Sequence, residues 1–268
     1  SAVMYQWILV AAMSNPWALQ STPSSGTAEA IGGYAAGCLQ GAVAVPEYGT
    51  GYQILRPKQK RYYGHPVMRQ YVLDLARQAR KMGLPDILVG DMAMAKGGPF
   101  SSGHRSHQSG LDTDFWFRFA TKKLSATERN NLQSQNMVDF RLNKVNKNFG
   151  SSQMTLLKLA AQDPRVERIF VNPPIKQAMC EHFSDTDHAW LGKLRPWFGH
   201  SAHFHVRLHC PVGSKDCEPQ KPSPAGDGCG EELQSWLTKP AMVSSKPIPN
   251  PMPDLPERCD MLLSKKQR

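Results

Sequence analysis

Residues 201–210 read SAHFHVRLHC, and a strict two-residue alternation runs through them. In an extended chain successive side chains point to opposite sides, so His203, His205, Arg207 and His209 share one face. Phe204, Val206 and Leu208 share the other. That pattern predicts a strand with a core beneath it and titratable groups above it. Residues 111–119, LDTDFWFRF, repeat the theme, with Asp112, Asp114, Trp116 and Arg118 on one face. If the two strands are neighbours in one antiparallel sheet, their polar faces meet.

Working outward, residues 65–83 (HPVMRQYVLDLARQARKMG) have helical periodicity, with Val67, Tyr71, Val72, Leu75, Ala79 and Met82 on one side. Pro66 suits the first turn and Gly83 the C-cap. Residues 86–95 read as a buried strand, and 96–110 as a Gly- and Ser-rich loop. Further helices are expected at 154–163, 175–183, 189–194 and 231–237, and a further strand at 166–171. Residues 15–35 read as an irregular lead-in, and 120–150 as a polar stretch without regular structure. Beyond residue 239 the Pro-rich run SSKPIPNPMPDLPE reads as an extended tail pinned by Cys259. Strands and helices intermix without a βαβ rhythm. The fold class is therefore α+β: an antiparallel central sheet carrying the site, with peripheral helices and long loops.

The 268 residues are 40% hydrophobic and 20% charged, which excludes disordered, collagen-like and coiled-coil chains. Thirty-two Lys and Arg against twenty-two Asp and Glu leave a net charge of +10. That excess favours anionic partners, including nucleic acid, acidic lipid and carboxylate-rich wall polymer. No charged residue precedes Glu29, and residues 2–13 (AVMYQWILVAAM) are almost wholly apolar. Twelve residues are too short for a membrane span, which needs roughly 20. They match the apolar region of a secretory signal peptide, so residues 1–14 read as a signal remnant and no stable span is expected. Six cysteines fit an oxidising compartment, and they allow 15 pairings that sequence alone does not choose among.

The chemistry concentrates in histidines. Six of the nine fall in two clusters: His104 and His107, leading to Asp112 and Asp114, and His200, His203, His205 and His209. Imidazole nitrogens and a carboxylate are zinc donors, and a catalytic zinc keeps three protein ligands with the fourth position open to water. His107, Asp114 and His205 can converge if the two strands pair. A metal there lowers the pKa of bound water to ~7, giving a nucleophile without serine or cysteine. A closed structural zinc site would use the same residue types, but a spare histidine beside three ligands favours an open one. H-E-x-x-H, G-x-S-x-G and Walker-type loops are all missing from the sequence.

With these residues in view, the chain resembles the LAS metallopeptidases, named for lysostaphin, D-alanyl-D-alanine peptidases and sonic hedgehog. His107-x6-Asp114 with His203-x-His205 carries that resemblance. Further blocks resemble the penicillin-insensitive murein endopeptidase family: Gly64-His65-Pro66, Gly90-Asp91-Met92, GHRSHQ at 103–108, RIFVNP at 168–173, RPWF at 195–198, HFHVRL at 203–208 and GDGCG at 226–230. They run in order over about residues 32–237. The resemblance implies a periplasmic hydrolase of peptidoglycan cross-links, chiefly D-alanyl-meso-diaminopimelyl bonds, with one Zn2+ per chain. It makes His107, Asp114 and His205 the metal ligands and His104 a fourth candidate at the metal's edge. His203 and His200 match histidines placed beside the attacking water, as general base or oxyanion stabiliser. The implied disulfides are Cys38–Cys259, Cys180–Cys229 and Cys210–Cys217. No acyl-enzyme is expected, so β-lactams should not inhibit.

Residues 120–150 offer Asp139 but no histidine, so no second metal site is expected. The same segment departs in composition from the family pattern, which leaves substrate preference open. The implied organisation is a catalytic domain over 15–238 and a tail over 239–268 tied back by a disulfide. A homodimer is compatible with the sequence, which does not fix oligomeric state. Two rivals belong to other classes. A non-catalytic zinc-containing wall-binding module would bind murein without releasing amines. A metal-dependent nuclease would suit the charge, but such sites favour oxygen-rich magnesium centres and no nucleic-acid motif is present, so no nucleic-acid partner is expected.

Overall fold

The computed structural model describes residues 15–183, 189–240 and 249–264. The apolar start at 1–14 and part of the Pro-rich run lie outside them. The chain opens with the hairpin β1 (Glu29–Gly33) and β2 (Ala36–Gln40). Short strands β3 (Val43–Ala44), β4 (Tyr48–Gly49), β5 (Tyr52–Ile54) and β6 (Tyr63–Gly64) lead to helix α1 (Pro66–Lys81) and strand β7 (Asp86–Val89). After a long loop comes β8 (Asp112–Ala120), then α2 (Ala126–Asn131), β9 (Val138–Asp139) and β10 (Lys144–Val145). Helix α3 (Ser151–Gln162), β11 (Val166–Val171), α4 (Pro173–His182), β12 (Leu194–Pro196) and β13 (His203–Leu208) follow. Helices α5 (Glu231–Leu237) and α6 (Glu257–Ser264) close the described chain.

The two alternating segments do pair. β13 lies antiparallel beside β8, with His205 opposite Asp114, Arg207 opposite Asp112 and Phe204 opposite Phe115. They sit inside a seven-stranded sheet of order β12-β11-β13-β8-β7-β5-β4. The centre, β11-β13-β8-β7, is antiparallel, while β12 and β5 join parallel to β11 and β7, so the whole sheet is mixed. One face carries Phe115, Phe117, Phe204, Val206, Leu208, Ile169 and Val171 into the main core. Phe204 stacks on Phe115 at 5.4 Å and touches Phe117 at 5.3 Å.

Helices α1 and α3 cover that face. α1 starts where His65 Nδ1 accepts from Val67 N–H at 3.1 Å, with Pro66 pre-set for the first turn. It buries Met68, Tyr71, Val72, Leu75, Ala76 and Ala79, and α3 adds Leu156, Leu157, Ala160 and Ala161. Because the alternation sends the phenylalanines of β8 and the Phe204, Val206 and Leu208 side chains of β13 toward this layer, the opposite face carries the charged and imidazole groups, with Trp116 and Ala120 at its far end.

Several elements differ from the sequence reading. The segment read as a strand over 86–95 stops at Val89. Past a register shift, Gly90 N–H donates to Asp114 O at 2.8 Å and Asp114 N–H donates to Asp91 O at 2.9 Å, after which the chain leaves the ladder. The lead-in holds β1, whose small residues give little strand signal and which is fixed by pairing with β2. In 120–150, Ser125 and Glu128 close a capping box on α2. Residues 189–194 form only a 3-10 turn, Ala189–Lys193, feeding the parallel edge strand β12.

A second, smaller core joins the two ends of the chain: Trp17, Ile31, Cys38, Met94, Phe100, Cys259 and Leu262. Gly98 passes flat over Trp17 here; at φ 80° any Cβ would lie 2.3 Å from the indole. Disulfides join Cys38 to Cys259, Cys180 to Cys229 and Cys210 to Cys217. The first ties α6 to β2. Among the described residues no helix is long and apolar enough to cross a membrane.

Candidate metal centre

The polar face of the β8–β13 pair and the loop before β8 bring four donors together. His104, His107, Asp114 and His205 place one ligand atom each within 4.8 Å of one another. His104 Nε2 lies 3.0 Å and His107 Nε2 3.4 Å from the Asp114 carboxylate, and His205 Nδ1 lies 3.7 Å from it. His107 and Asp114 are buried, whereas the His104 side chain keeps 30% of its surface open. The loop reaches this geometry at a conformational cost. His107 has φ 64°, a left-handed backbone that costs a non-glycine residue about 1–2 kcal/mol.

Each buried imidazole is oriented by a group behind it. His107 Nδ1–H donates to the Met92 carbonyl at 2.9 Å, which leaves Nε2 as the lone-pair donor. His205 Nε2–H donates to Asp112 Oδ1 at 2.6 Å, which leaves Nδ1 facing Asp114. Asp112 also accepts from Arg207 Nε at 2.8 Å. A carboxylate behind a histidine fixes its tautomer and raises its basicity toward a metal. Phe100 stacks against His107 at 5.5 Å, and Phe170 packs edge-on to His205 at 5.2 Å, so the rings have little freedom.

What the cluster lacks is a partner for its converging lone pairs. His107 Nε2 and Asp114 Oδ1 are buried without a hydrogen bond, as are Nε2 of His200 and of His203. Orphaned buried acceptors cost free energy, and four donors of this chemistry fit a divalent cation. Burial pushes the Asp114 carboxyl up, but the His104, His107 and His203 imidazoles outweigh it and hold it well below its usual range. Burial works against a charged His107 too, yet Asp114 raises it to about 9. The charge that a proton on His107 supplies is the one a bound cation would replace.

His203 and His200 sit beside this set without belonging to it. His203 Nε2 is 4.0 Å from Asp114, and its ring lies 5.4 Å from that of His104 and 5.1 Å from that of His200. Burial lowers His203 to about 3 and lowers His200 as well, so both imidazoles are neutral at neutral pH. His200 Nδ1–H donates to the Phe198 carbonyl at 3.0 Å, which turns its Nε2 into an acceptor. Both are placed to take a proton.

A groove of about 580 Å³ opens onto the cluster, lined by His104, Phe170, Trp197, His200, His205 and Trp236 among others. The structure thus brings together all six histidine and aspartate candidates, while His209 stays outside the cluster. Two participants carried no role in the sequence reading: Asp112 and Arg207. Their signal was present, because both sit on the polar faces of the two alternating strands. Only the register, Arg207 opposite Asp112, shows that they back His205.

Residues 30–264 match the family model described as penicillin-insensitive murein endopeptidase. Curated relatives of that name include a Klebsiella pneumoniae protein, 44% identical over 93% of this chain and 91% of its own length. One from Haemophilus influenzae is 46% identical over 91% of this chain and 85% of its own. One from Yersinia enterocolitica is 45% identical over 93% and 90%.

Proposed function

The chain belongs to the penicillin-insensitive murein endopeptidase family, and on that footing we propose that it hydrolyses peptide cross-links of peptidoglycan at the histidine–aspartate cluster. The bond we assign is the D-alanyl-meso-diaminopimelyl amide, and the metal is zinc, one ion per chain. The observation that carries the reading is the convergence of four donors, two of them buried without a hydrogen bond among the described residues, next to two neutral imidazoles whose Nε2 atoms are likewise unpartnered. His107, Asp114 and His205 would hold the ion, with His104 completing the set at its open side. When bound, zinc supplies Lewis acidity that polarises the scissile carbonyl and acidifies water.

The rest of the chemistry falls to the chain. His203, neutral and with Nε2 free, accepts the proton of the attacking water and passes it to the leaving amine. His200, with Nδ1–H held by the Phe198 carbonyl and Nε2 left as an acceptor, offers a second neutral base beside the attacking water. Asp112 and Arg207 keep His205 in one tautomer. Phe170 and Trp197 in the groove wall exclude water from the bond being cut. Because no serine or cysteine nucleophile takes part, benzylpenicillin leaves no covalent adduct.

Residues 15–238 would form the catalytic domain and 239–268 a tail tied back through Cys259. We assign the protein to the periplasm, a reading supported by the family's murein substrate and by three disulfides. Digestion of purified sacculi followed by muropeptide chromatography, with zinc measured by elemental analysis, tests the whole reading. Native protein should convert cross-linked dimers to monomers. His205→Ala should lose zinc and activity together, whereas His203→Ala should keep zinc and lose activity by about 10²-fold or more. Zinc-loaded native protein that leaves dimers intact would sink the proposal.

A further inference from the structure

Four arginines line the groove: Arg105, Arg168, Arg195 and Arg207. Three of them already face a carboxylate of the fold. Arg168 grips Glu167 through Nε at 2.5 Å and an NH2 group at 2.8 Å. Arg195 pairs with Glu232, and Arg207 with Asp112. Arg105 pairs with no carboxylate and covers no aromatic ring among the described residues, although it stands next to His104 in the chain.

Its backbone is nonetheless anchored. The Arg105 carbonyl accepts from Gln108 Nε2 at 2.9 Å, and the His104 carbonyl accepts from Asn250 Nδ2 at 3.2 Å. Arg105 is thus an exposed cation on a pinned loop, in the groove lining and one residue from the donor cluster. Among the described residues the one carboxylate of the groove lining, Glu232, is committed to Arg195. An anionic substrate group entering here therefore meets one uncompensated guanidinium, whose planar fork matches a carboxylate.

The proposed substrate brings such a group to the reacting bond. In a D-alanyl-meso-diaminopimelyl amide, the carbon bonded to the scissile nitrogen also carries a carboxylate. We propose that Arg105 is a specificity-determining residue that pairs with this carboxylate, so that cross-links with it free are selected over cross-links with it amidated. This inference rests on the endopeptidase reading above.

The test uses two synthetic cross-linked peptide dimers that differ only in this group, carboxylate against carboxamide, with native, Arg105→Ala and Arg105→Lys proteins. Native protein should favour the carboxylate dimer in kcat/KM by about tenfold or more, the size of a charge-assisted pair. Arg105→Ala should lose that factor on the carboxylate dimer, chiefly through KM, and leave the carboxamide dimer unchanged. Arg105→Lys should restore part of it. Zinc content and unfolding midpoint should match native protein in both variants. Equal losses on both dimers, or native protein that does not discriminate, overturn the role of Arg105 alone. If zinc-loaded native protein cleaves neither dimer, the endopeptidase reading fails and this inference falls with it.

Discussion

Replacing Asp112 by Asn isolates what the group behind His205, a proposed metal ligand, contributes. Asp112 is fully buried, and its Oδ1 accepts hydrogen bonds from His205 Nε2–H at 2.6 Å and from Arg207 Nε–H at 2.8 Å. Burial alone would push its carboxyl up, but Arg207 and His205 outweigh burial and keep it ionised. Asparagine retains the shape and an amide oxygen for both donors, yet it removes the charge and puts an NH2 group where Oδ2 has no donor against it. His205 then keeps an acceptor but loses the carboxylate behind it. Groups in this position typically affect metal affinity by 10- to 100-fold, or about 1.4–2.8 kcal/mol. Arg207 also loses its carboxylate, which in a buried pair costs roughly 3–5 kcal/mol. Here the loss should fall at or below the low end, because Arg207 keeps Gln220 Oε1 at 2.6 Å and the rings of Tyr34 and Phe170.

Chelator competition reads the zinc affinity, and urea unfolding of metal-free protein reads the stability. Asp112→Asn should weaken both. Arg207→Met should weaken stability and leave zinc affinity within about threefold of native, since His205 keeps its carboxylate. An Asp112→Asn protein that binds zinc as tightly as native would refute the reasoning, because the tautomer of His205 would then need no carboxylate.

Two more predictions concern the frame. Burial pushes the Asp163 carboxyl up, but hydrogen bonds from Arg165 Nε at 2.9 Å and from an Arg165 NH2 group at 2.7 Å win and hold it below its ordinary 3.8. A carboxyl lowered in the folded state stabilises above its unfolded pKa, and the stabilisation fades as pH falls through the folded value. Asp163→Asn should thus cost about 1–2 kcal/mol at neutral pH in urea unfolding, and the gap to native should close below pH ~3.8. A gap that is constant with pH would show that packing, not charge, is lost. Cys259→Ser opens a link between residues 221 positions apart and frees α6 from β2. The same C-terminal segment braces the His104 loop, through Asn250 on the Phe100, Ser101 and His104 carbonyls. Limited proteolysis followed by mass spectrometry should show early cleavage after residue 240, with the main sheet intact and zinc more readily chelated. Unaltered zinc release would mean that the loop holds His104 without the brace.

Much of this centre was legible because strand alternation is a local rule. Two segments, 111–119 and 201–210, each sorted their own side chains into an apolar and a polar face, and the observed β8 and β13 kept that sorting. The helix beginning at Pro66 was equally readable, since its cap, periodicity and final glycine lie within one stretch. The hairpin of β1 and β2 was not. Their Gly and Ala residues carry little preference for a strand, and what makes these segments strands is the partner each finds in the other. The helix α6 was hidden in the same way behind a proline-rich run, and it is held by Cys38, Trp17 and Ile31 from the other end of the chain.

The sequence by itself determined which residue types face which way on each strand, and that a chain with these histidines and this aspartate has the donors for a metal. Those properties depend on neighbours two to four residues apart. Only the tertiary structure decided register, and register decides partnership. It set His205 against Asp114 and, one step on, Arg207 against Asp112, so that one carboxylate points into the cluster and the other stands behind His205. A shift of one residue would have sent these side chains to the core and the phenylalanines to the groove. It also left Arg105 as the one groove arginine without a carboxylate among the described residues, which no count of charges along the chain contains. Pairing of charges depends on distances between segments far apart in sequence, and only folding sets those.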